Sequence, residues 1–166
     1  NNIIPTNEAG FRKGRNTMDH LVKLSNNIKK QFARRKSCLA TFCDIRKAYD
    51  RVWHARLLFK LRNIGINGIF YQYIKSFLSE REICTRVGRV YSDFKRIDMG
   101  IPQGSIISPT LFTILIHDLP DILSKGTKVV QYADDVAIWV NTSLRKHTSQ
   151  RMVLYVQKLY QLELDK

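Results

Sequence analysis

Two adjacent aspartates, Asp134 and Asp135, stand between two short apolar runs, Val129-Val130-Gln131-Tyr132-Ala133 and Val136-Ala137-Ile138-Trp139-Val140. Runs of this length, rich in β-branched and aromatic residues, are expected as strands. Ionised carboxylates are costly to bury without partners. The chain is therefore expected to turn at the pair, with two carboxylates at the tip of a hairpin. On residue type alone a plain polar turn explains the pair as well, because Asp is a common turn residue.

A third acid narrows the choice. Leu39-Ala40-Thr41-Phe42-Cys43 is another short apolar run, and it ends at Asp44. Its length and composition predict a buried strand. If that strand neighbours the hairpin, three carboxylates converge on one point. Such a cluster repels itself near neutral pH and is relieved by a divalent cation. Oxygen-only ligands suit a hard ion, Mg²⁺ or Mn²⁺, better than zinc.

The remaining segments predict one α+β domain over residues 1–166. Asn16 or Thr17 caps an amphipathic helix over 17–34, with Met18, Leu21, Val22, Ser25, Ile28 and Phe32 at helical spacing. Helices are expected over 52–63, stopping at Gly65, and over 67–79, with Ile69, Phe70, Tyr73, Ile74 and Phe77 facing inward. Strands over 82–87 and 90–97 flank a turn at Gly88-Arg89. Ser108-Pro109 opens an apolar helix ending near Pro120, and a last helix runs from Ser143 onward. Helices mixed with a small antiparallel sheet make the class α+β.

Charge speaks to partners. Lys and Arg number 28 against 14 Asp and Glu, a formal net charge of +14. An excess of that size favours a polyanionic partner such as nucleic acid, although a merely soluble basic protein or a binder of anionic membrane surfaces would also show it. The runs Lys29-Lys30 and Arg34-Arg35-Lys36 could track nucleic acid or form a solvated helix end. No run of 18 apolar residues could span a membrane, and the N-terminus has no signal-peptide pattern. Without an initiating Met, the chain reads as part of a longer protein. Cys38, Cys43 and Cys84 are too few and too scattered for a disulfide framework or a zinc site, and are expected as free thiols in a reducing compartment. His20, His54, His117 and His147 show no metal-ligand spacing and are expected at the surface or in packing, while Trp53 and Trp139 are expected in the core.

Between the strand segments lies Gly100-Ile101-Pro102-Gln103-Gly104-Ser105. Glycine permits close backbone approach and proline removes freedom. Gln103 can both donate and accept hydrogen bonds. Such a loop could receive a nucleotide or template base, or could simply turn the chain before a core helix.

Taken together these segments resemble a known family. Phe42 to Val52, through Asp44, Tyr49 and Asp50, is similar to the first palm motif of reverse transcriptases. Gly100 to Ser105, continued by Ser108-Pro109, is similar to the second, and Tyr132-Ala133-Asp134-Asp135 to the third. Ala9 to His20 resembles the finger-side motif that precedes them in the enzymes of non-LTR retrotransposons. Ala133 and the wording Lys47-Ala48-Tyr49-Asp50 point to that branch, of the LINE-like, jockey type, rather than to retroviruses.

The resemblance implies an RNA-directed DNA polymerase: a palm with a small antiparallel sheet packed on helices, part of the fingers over 1–36, and no thumb. It implies two Mg²⁺ ions (Mn²⁺ as substitute) held by Asp44 and Asp134, with Asp135 completing the acidic site. Tyr49 would stack under the incoming sugar and reject a 2′-hydroxyl, though without the motif a core aromatic at a strand–helix junction is the readier explanation. Gln103, Gly104 and Ile45 would line the nucleotide pocket. Arg12, Lys13 and Arg15 would meet template backbone, a role that a solvated basic loop would mimic. The partners implied are an RNA template, a DNA primer and a dNTP, with no membrane. The oligomeric state is left open, and residence in cytoplasm or nucleus follows only from the function. Because the family's first finger strands and thumb lie outside the chain, the segment alone is expected to be inactive or weak, with exposed sheet edges. Two other readings remain: a decayed element copy that retains only nucleic-acid binding, and another metal-dependent palm enzyme such as a nucleotide cyclase.

Overall fold

The computed structural model describes residues 16–123 and 126–142, together with Gly10, Gly14, residues 152–154 and Gln157. Arg12, Lys13, Arg15 and most of the helix expected from Ser143 onward lie outside the described residues. The chain divides into two compact units, one of residues 1–46 with 116–166 and the other of residues 47–115.

The first unit is built on a three-stranded antiparallel sheet. Its strands are β1 (Ser37–Asp44), β6 (Thr127–Tyr132) and β7 (Asp135–Thr142), in the order β1-β7-β6. β7 is central because it is the most apolar strand: Val136, Ile138, Trp139 and Val140 are all buried. Side chains alternate between faces along a strand. One face therefore carries Val136, Ile138 and Val140, which pack with Leu119 and Met152, and with the half-buried Leu39, Cys43, Ile45, Leu123 and Val129. The opposite face carries Ala137, Trp139 and Asn141 of β7, with Phe42 opposite Ala137. The expectation that the 39–45 strand is buried is corrected here. β1 is an edge strand of this sheet, and Phe42 is 71% exposed.

Helix α1 (Thr17–Ala33) starts at Asn16 through a reciprocal capping box with Asp19. Its buried residues are His20, Asn27 and Gln31, whereas Met18, Leu21, Val22 and Phe32 are exposed. The helix thus turns polar groups inward, opposite to what its apolar spacing suggests. The reason is the surface it meets. His20 Nε2 lies 3.0 Å from Gln131 O, and the Asn27 amide bonds Asn141 Oδ1 at 2.8 Å and accepts from Lys128 Nζ at 2.9 Å. Hydrogen-bonding partners on the sheet select hydrogen-bonding side chains on the helix.

The second unit holds α2 (His54–Asn63) and α3 (Gly68–Leu78), which pack together, then β2 (Arg81–Ile83), β3 (Arg86–Val87), β4 (Val90–Tyr91) and β5 (Lys95–Ile97). β2 pairs with β5 and β3 with β4, so the expected hairpin around Gly88-Arg89 forms in two short tiers. α2 begins at His54 rather than at Val52, because Val52 O is used to accept from Gly100 N at 2.8 Å. Trp53 is 41% exposed and not a core residue. α3 buries Tyr71, Ile74 and Leu78, and leaves Ile69, Phe70 and Tyr73 exposed, against the expected inner face. Its apolar arc, opposite Gln72, Lys75 and Ser76, is broader than the stripe that packs, so periodicity alone does not choose which part of it is buried. Phe70, Tyr73 and Phe77 instead stack on one another, with successive ring centroids 6.5 Å apart.

α4 (Ser108–Ile116) ends four residues before Pro120, and Pro120 lies in the first turn of a separate short helix, α5 (Leu119–Ile122). A proline is tolerated in a first turn and not in a helix interior. No helix of the described residues is long and apolar enough to cross a membrane.

Which face of the sheet is the core can be read from two substitutions. Ile138→Ala, at a position with no exposure, is expected to cost about 2–5 kcal/mol in denaturant unfolding. Phe42→Ala, on the opposite face, is expected to cost less than about 1 kcal/mol. Equal losses would contradict this assignment of faces.

Candidate active site

In the first unit the three acids are set by strand register. β1 and β7 pair without a break from Ser37 opposite Thr142 to Asp44 opposite Asp135. Directly opposed residues share a face, with Cβ atoms about 5 Å apart. Asp44 and Asp135 are therefore neighbours on one face of the sheet, at its end. Tyr132 of β6 pairs with Asp135 from the other side, leaving Ala133-Asp134 as a two-residue turn. The tip of the hairpin is thus shifted by one residue from the sequence expectation: Asp134 is in the turn and Asp135 begins β7. Ile45 N donates to Asp134 O at 3.4 Å, tying the turn to the end of β1. Asp44 and Asp135 are exposed and Asp134 is half-buried.

The turn carries a cost. Ala133 has φ of +55° and is buried. A left-handed backbone at an L-residue with a Cβ costs about 1–2 kcal/mol, and such outliers concentrate at functional sites.

The donor set suits a hard divalent ion, being carboxylate oxygen throughout. The register also fits one, because it places two carboxylates on one face of paired strands and the third one residue away. The side chains are not drawn together, and among the described residues no group of three His, Cys, Asp or Glu side chains is placed to hold a metal. Like charges spread apart, and a cation would reverse that preference.

Ile45 is half-buried, and its side chain packs against the apolar cluster of Leu119, Val136 and Ile138. The neighbouring Cys43 thiol has its pKa raised by burial, and all three cysteines are free.

In the second unit the glycine-rich loop is held against residues 49–54. Gly100 N donates to Val52 O and Ile101 N donates to Tyr49 O, both at 2.8 Å. Gly100 has φ of +83°, and a Cβ built there would lie 2.7 Å from Asp50 O. Only glycine fits that position, both for its backbone angle and for space. Gly100 O accepts from His54 Nε2 and from Arg81 Nη1, each at 2.7 Å. His54 is therefore a structural donor to the loop rather than a surface or general packing residue. Gln103 is exposed, and its Nε2 donates to Asp50 Oδ1 at 2.9 Å. Gly104 is exposed, with open space around its Cα. Tyr49 is half-buried and stacks on Phe112 of α4, with centroids 5.1 Å apart and planes at 16°.

Asp50, His54 and Arg81 support the loop and Phe112 supports Tyr49, roles that the sequence did not assign to them. Asp50 stands within the first motif, so its position carried a signal. Arg81 carried none, because its role depends on how β2 returns to the loop.

Comparisons with known proteins identify the family. Residues 1–165 match the family described as "Reverse transcriptase (RNA-dependent DNA polymerase)". The probable RNA-directed DNA polymerase from transposon BS of Drosophila melanogaster is 29% identical over 163 residues, covering 95% of this chain and 18% of that protein. The RNA-directed DNA polymerase from mobile element jockey of the same fly is 33% identical over 141 residues, covering 81% of this chain and 15% of the relative. The chain thus spans less than a fifth of the length of these relatives. Among solved structures, apo telomerase from Candida tropicalis truncated from the C-terminal domain superposes with a TM-score of 0.64 at 16% identity, over 93% of this chain and 34% of that one. That likeness shows the fold: mixed helices and antiparallel sheet, as expected of a partial palm and fingers.

The two loop glycines should differ on substitution. Gly100→Ala meets backbone at 2.7 Å as well as an adverse φ, and is expected to cost about 3 kcal/mol or more in thermal or denaturant unfolding. Gly104→Ala meets only the adverse φ of +87° and is expected to cost about 1 kcal/mol. Equal costs would show that the loop is not pressed against Asp50.

Proposed function

The chain belongs to the reverse transcriptase family, and from that premise we propose that it is the palm and part of the fingers of an RNA-directed DNA polymerase of a non-LTR retrotransposon. The reaction is nucleotidyl transfer. A primer 3′-hydroxyl attacks the α-phosphate of a dNTP paired to an RNA template, a new phosphodiester forms, and pyrophosphate leaves. The observation that carries this reading is the β1–β7 register, which sets Asp44 opposite Asp135 with Asp134 in the adjoining turn.

Asp44 and Asp134 would hold two Mg²⁺ ions, with Asp135 in a supporting contact. When bound, the ions lower the pKa of the 3′-hydroxyl and offset the charge that develops on the leaving pyrophosphate. The protein residues do the rest by placement. Tyr49 would stack under the incoming sugar and exclude a 2′-hydroxyl, its ring angle held by Phe112. Gln103 and Gly104 would line the pocket for the nucleotide and the templating base. Ile45 would back the nucleotide pocket from the core side, where its side chain packs on the apolar cluster. Arg12, Lys13 and Arg15 would meet template phosphates, in keeping with the net charge of +14. Extension would require the further segments that the longer relatives possess.

Primer extension tests the reading. The protein, carried in a chain as long as its relatives, is given poly(rA), oligo(dT), Mg²⁺ and dTTP. Extension is expected, with loss on EDTA addition and recovery with Mg²⁺ or Mn²⁺. Asp134→Asn is expected to lower extension at least about 1,000-fold, as removal of one essential charge does in metal-assisted catalysis, while primer–template binding stays unchanged. Near-normal extension by that variant would sink the acidic-site assignment. Binding without extension by the unaltered protein would leave a nucleic-acid-binding remnant.

A further inference from the structure

We infer that Asp50 is a positioning residue for Gln103, fixing the side-chain amide so that its carbonyl oxygen, and not its NH₂ group, faces the incoming nucleotide. The inference rests on the polymerase reading above, and assigns within it a role to a residue outside the metal site and the pocket.

Three observations carry it. Gln103 Nε2 donates to Asp50 Oδ1 at 2.9 Å. An ionised carboxylate only accepts hydrogen bonds, so only the NH₂ end of the amide can face it. Asp50 therefore decides which end of Gln103 points away. Second, Asp50 is itself locked to the loop that carries Gln103. Its neighbours Tyr49 and Val52 accept the backbone N–H groups of Ile101 and Gly100 at 2.8 Å. Its own carbonyl lies where a Gly100 Cβ would be, 2.7 Å away. Third, Asp50 and Gln103 are both exposed. A hydrogen bond between exposed groups contributes little to stability, so its consequence is orientation rather than cohesion.

Tyr49, the residue before Asp50, stacks on Phe112 of the helix that follows the loop. Consecutive residues thus set the ring proposed to meet the sugar and the amide proposed to meet the nucleotide. An outward carbonyl oxygen accepts from a donor on the nucleotide, such as a hydroxyl or an exocyclic amine. An outward NH₂ would instead favour a phosphate or carbonyl oxygen.

Asp50→Asn tests this with little change of shape, because an Asn amide can pair with either end of Gln103 and releases the choice. In a chain as long as the relatives, steady-state single-nucleotide extension is measured for the unaltered protein, Asp50→Asn, Gln103→Ala and the double variant. Primer–template Kd is measured for all four. Asp50→Asn is expected to raise KM for dNTP about tenfold, the loss of one charge-assisted orientation, with kcat within about threefold and Kd unchanged. The double variant is expected to be no worse than Gln103→Ala alone, because Asp50 acts only through that side chain. A wild-type KM in Asp50→Asn, effects that multiply in the double variant, or a joint loss of KM, kcat and Kd would each overturn the inference alone. Absence of extension by the unaltered protein would remove the polymerase reading and this inference with it.

Discussion

The eight-residue pairing of β7 with β1 is the constraint on which the acidic site depends. Side-chain alternation has a period of two, so a slip by one residue would move Asp44 to the packed face and turn Cys43 outward. Burial prevents the slip. Val136, Ile138 and Val140 meet the cluster of Leu119 and Met152 together with Leu39 and Cys43 of β1, and a one-residue slip would turn Leu39 and Cys43 away from it. Apolar burial at about 25 cal/mol per Å² thus fixes the position of charged groups that contribute nothing favourable to folding. The acids sit beyond the last packed pair, where water or a cation can solvate them.

A comparable division holds in the second unit. Gly100 is gripped by backbone bonds to Val52, by the side chains of His54 and Arg81 on its carbonyl, and by the close approach of Asp50. Two residues further on the chain leaves that grip, and Gln103 and Gly104 are exposed. The loop is thus anchored at its base and open at its tip, where Gln103 keeps one side-chain tie, to Asp50.

Legibility in the sequence followed the strength of local signals. The capping Asn16, the Gly88-Arg89 turn and Pro109 at the head of α4 carry their structural consequence within a few residues and are found where expected, and the strand–Asp-Asp–strand pattern is found with its turn one residue earlier. The two wrongly expected helix faces share a cause. α1 and α3 each offer more than one stripe, and tertiary context chose against apolarity in α1 and for Tyr71, Ile74 and Leu78 in α3. The polar surface built by Asn141, Lys128 and Gln131 is more than 100 residues away in sequence from the helix it selects. No window of periodicity holds that information. The placement of Asp44, Asp134 and Asp135 at the ends of strands was legible because each bounds an apolar run, where an ionised carboxylate is kept out of the core. The supports of the loop were not, because Asp50, His54 and Arg81 are ordinary polar residues until the chain returns to them.

Ala133 shows how far the strands dictate the turn. Tyr132 and Asp135 form the last pair, so only Ala133 and Asp134 remain to reverse the chain. A two-residue hairpin connection of this hand requires positive φ, which Gly or Asn supplies with least strain. An alanine there is a local conflict, and the packing on either side maintains it: the alanine methyl is buried, and Asp134 O accepts from Ile45 N across the tip. A longer, relaxed loop would remove the strain and let Asp134 drift from Asp44. A glycine would remove it too, but would free the backbone beside Asp134. The tight, strained turn therefore holds Asp134 in place next to Asp135 and close to the end of β1, at a cost in local backbone energy that the flanking strands maintain.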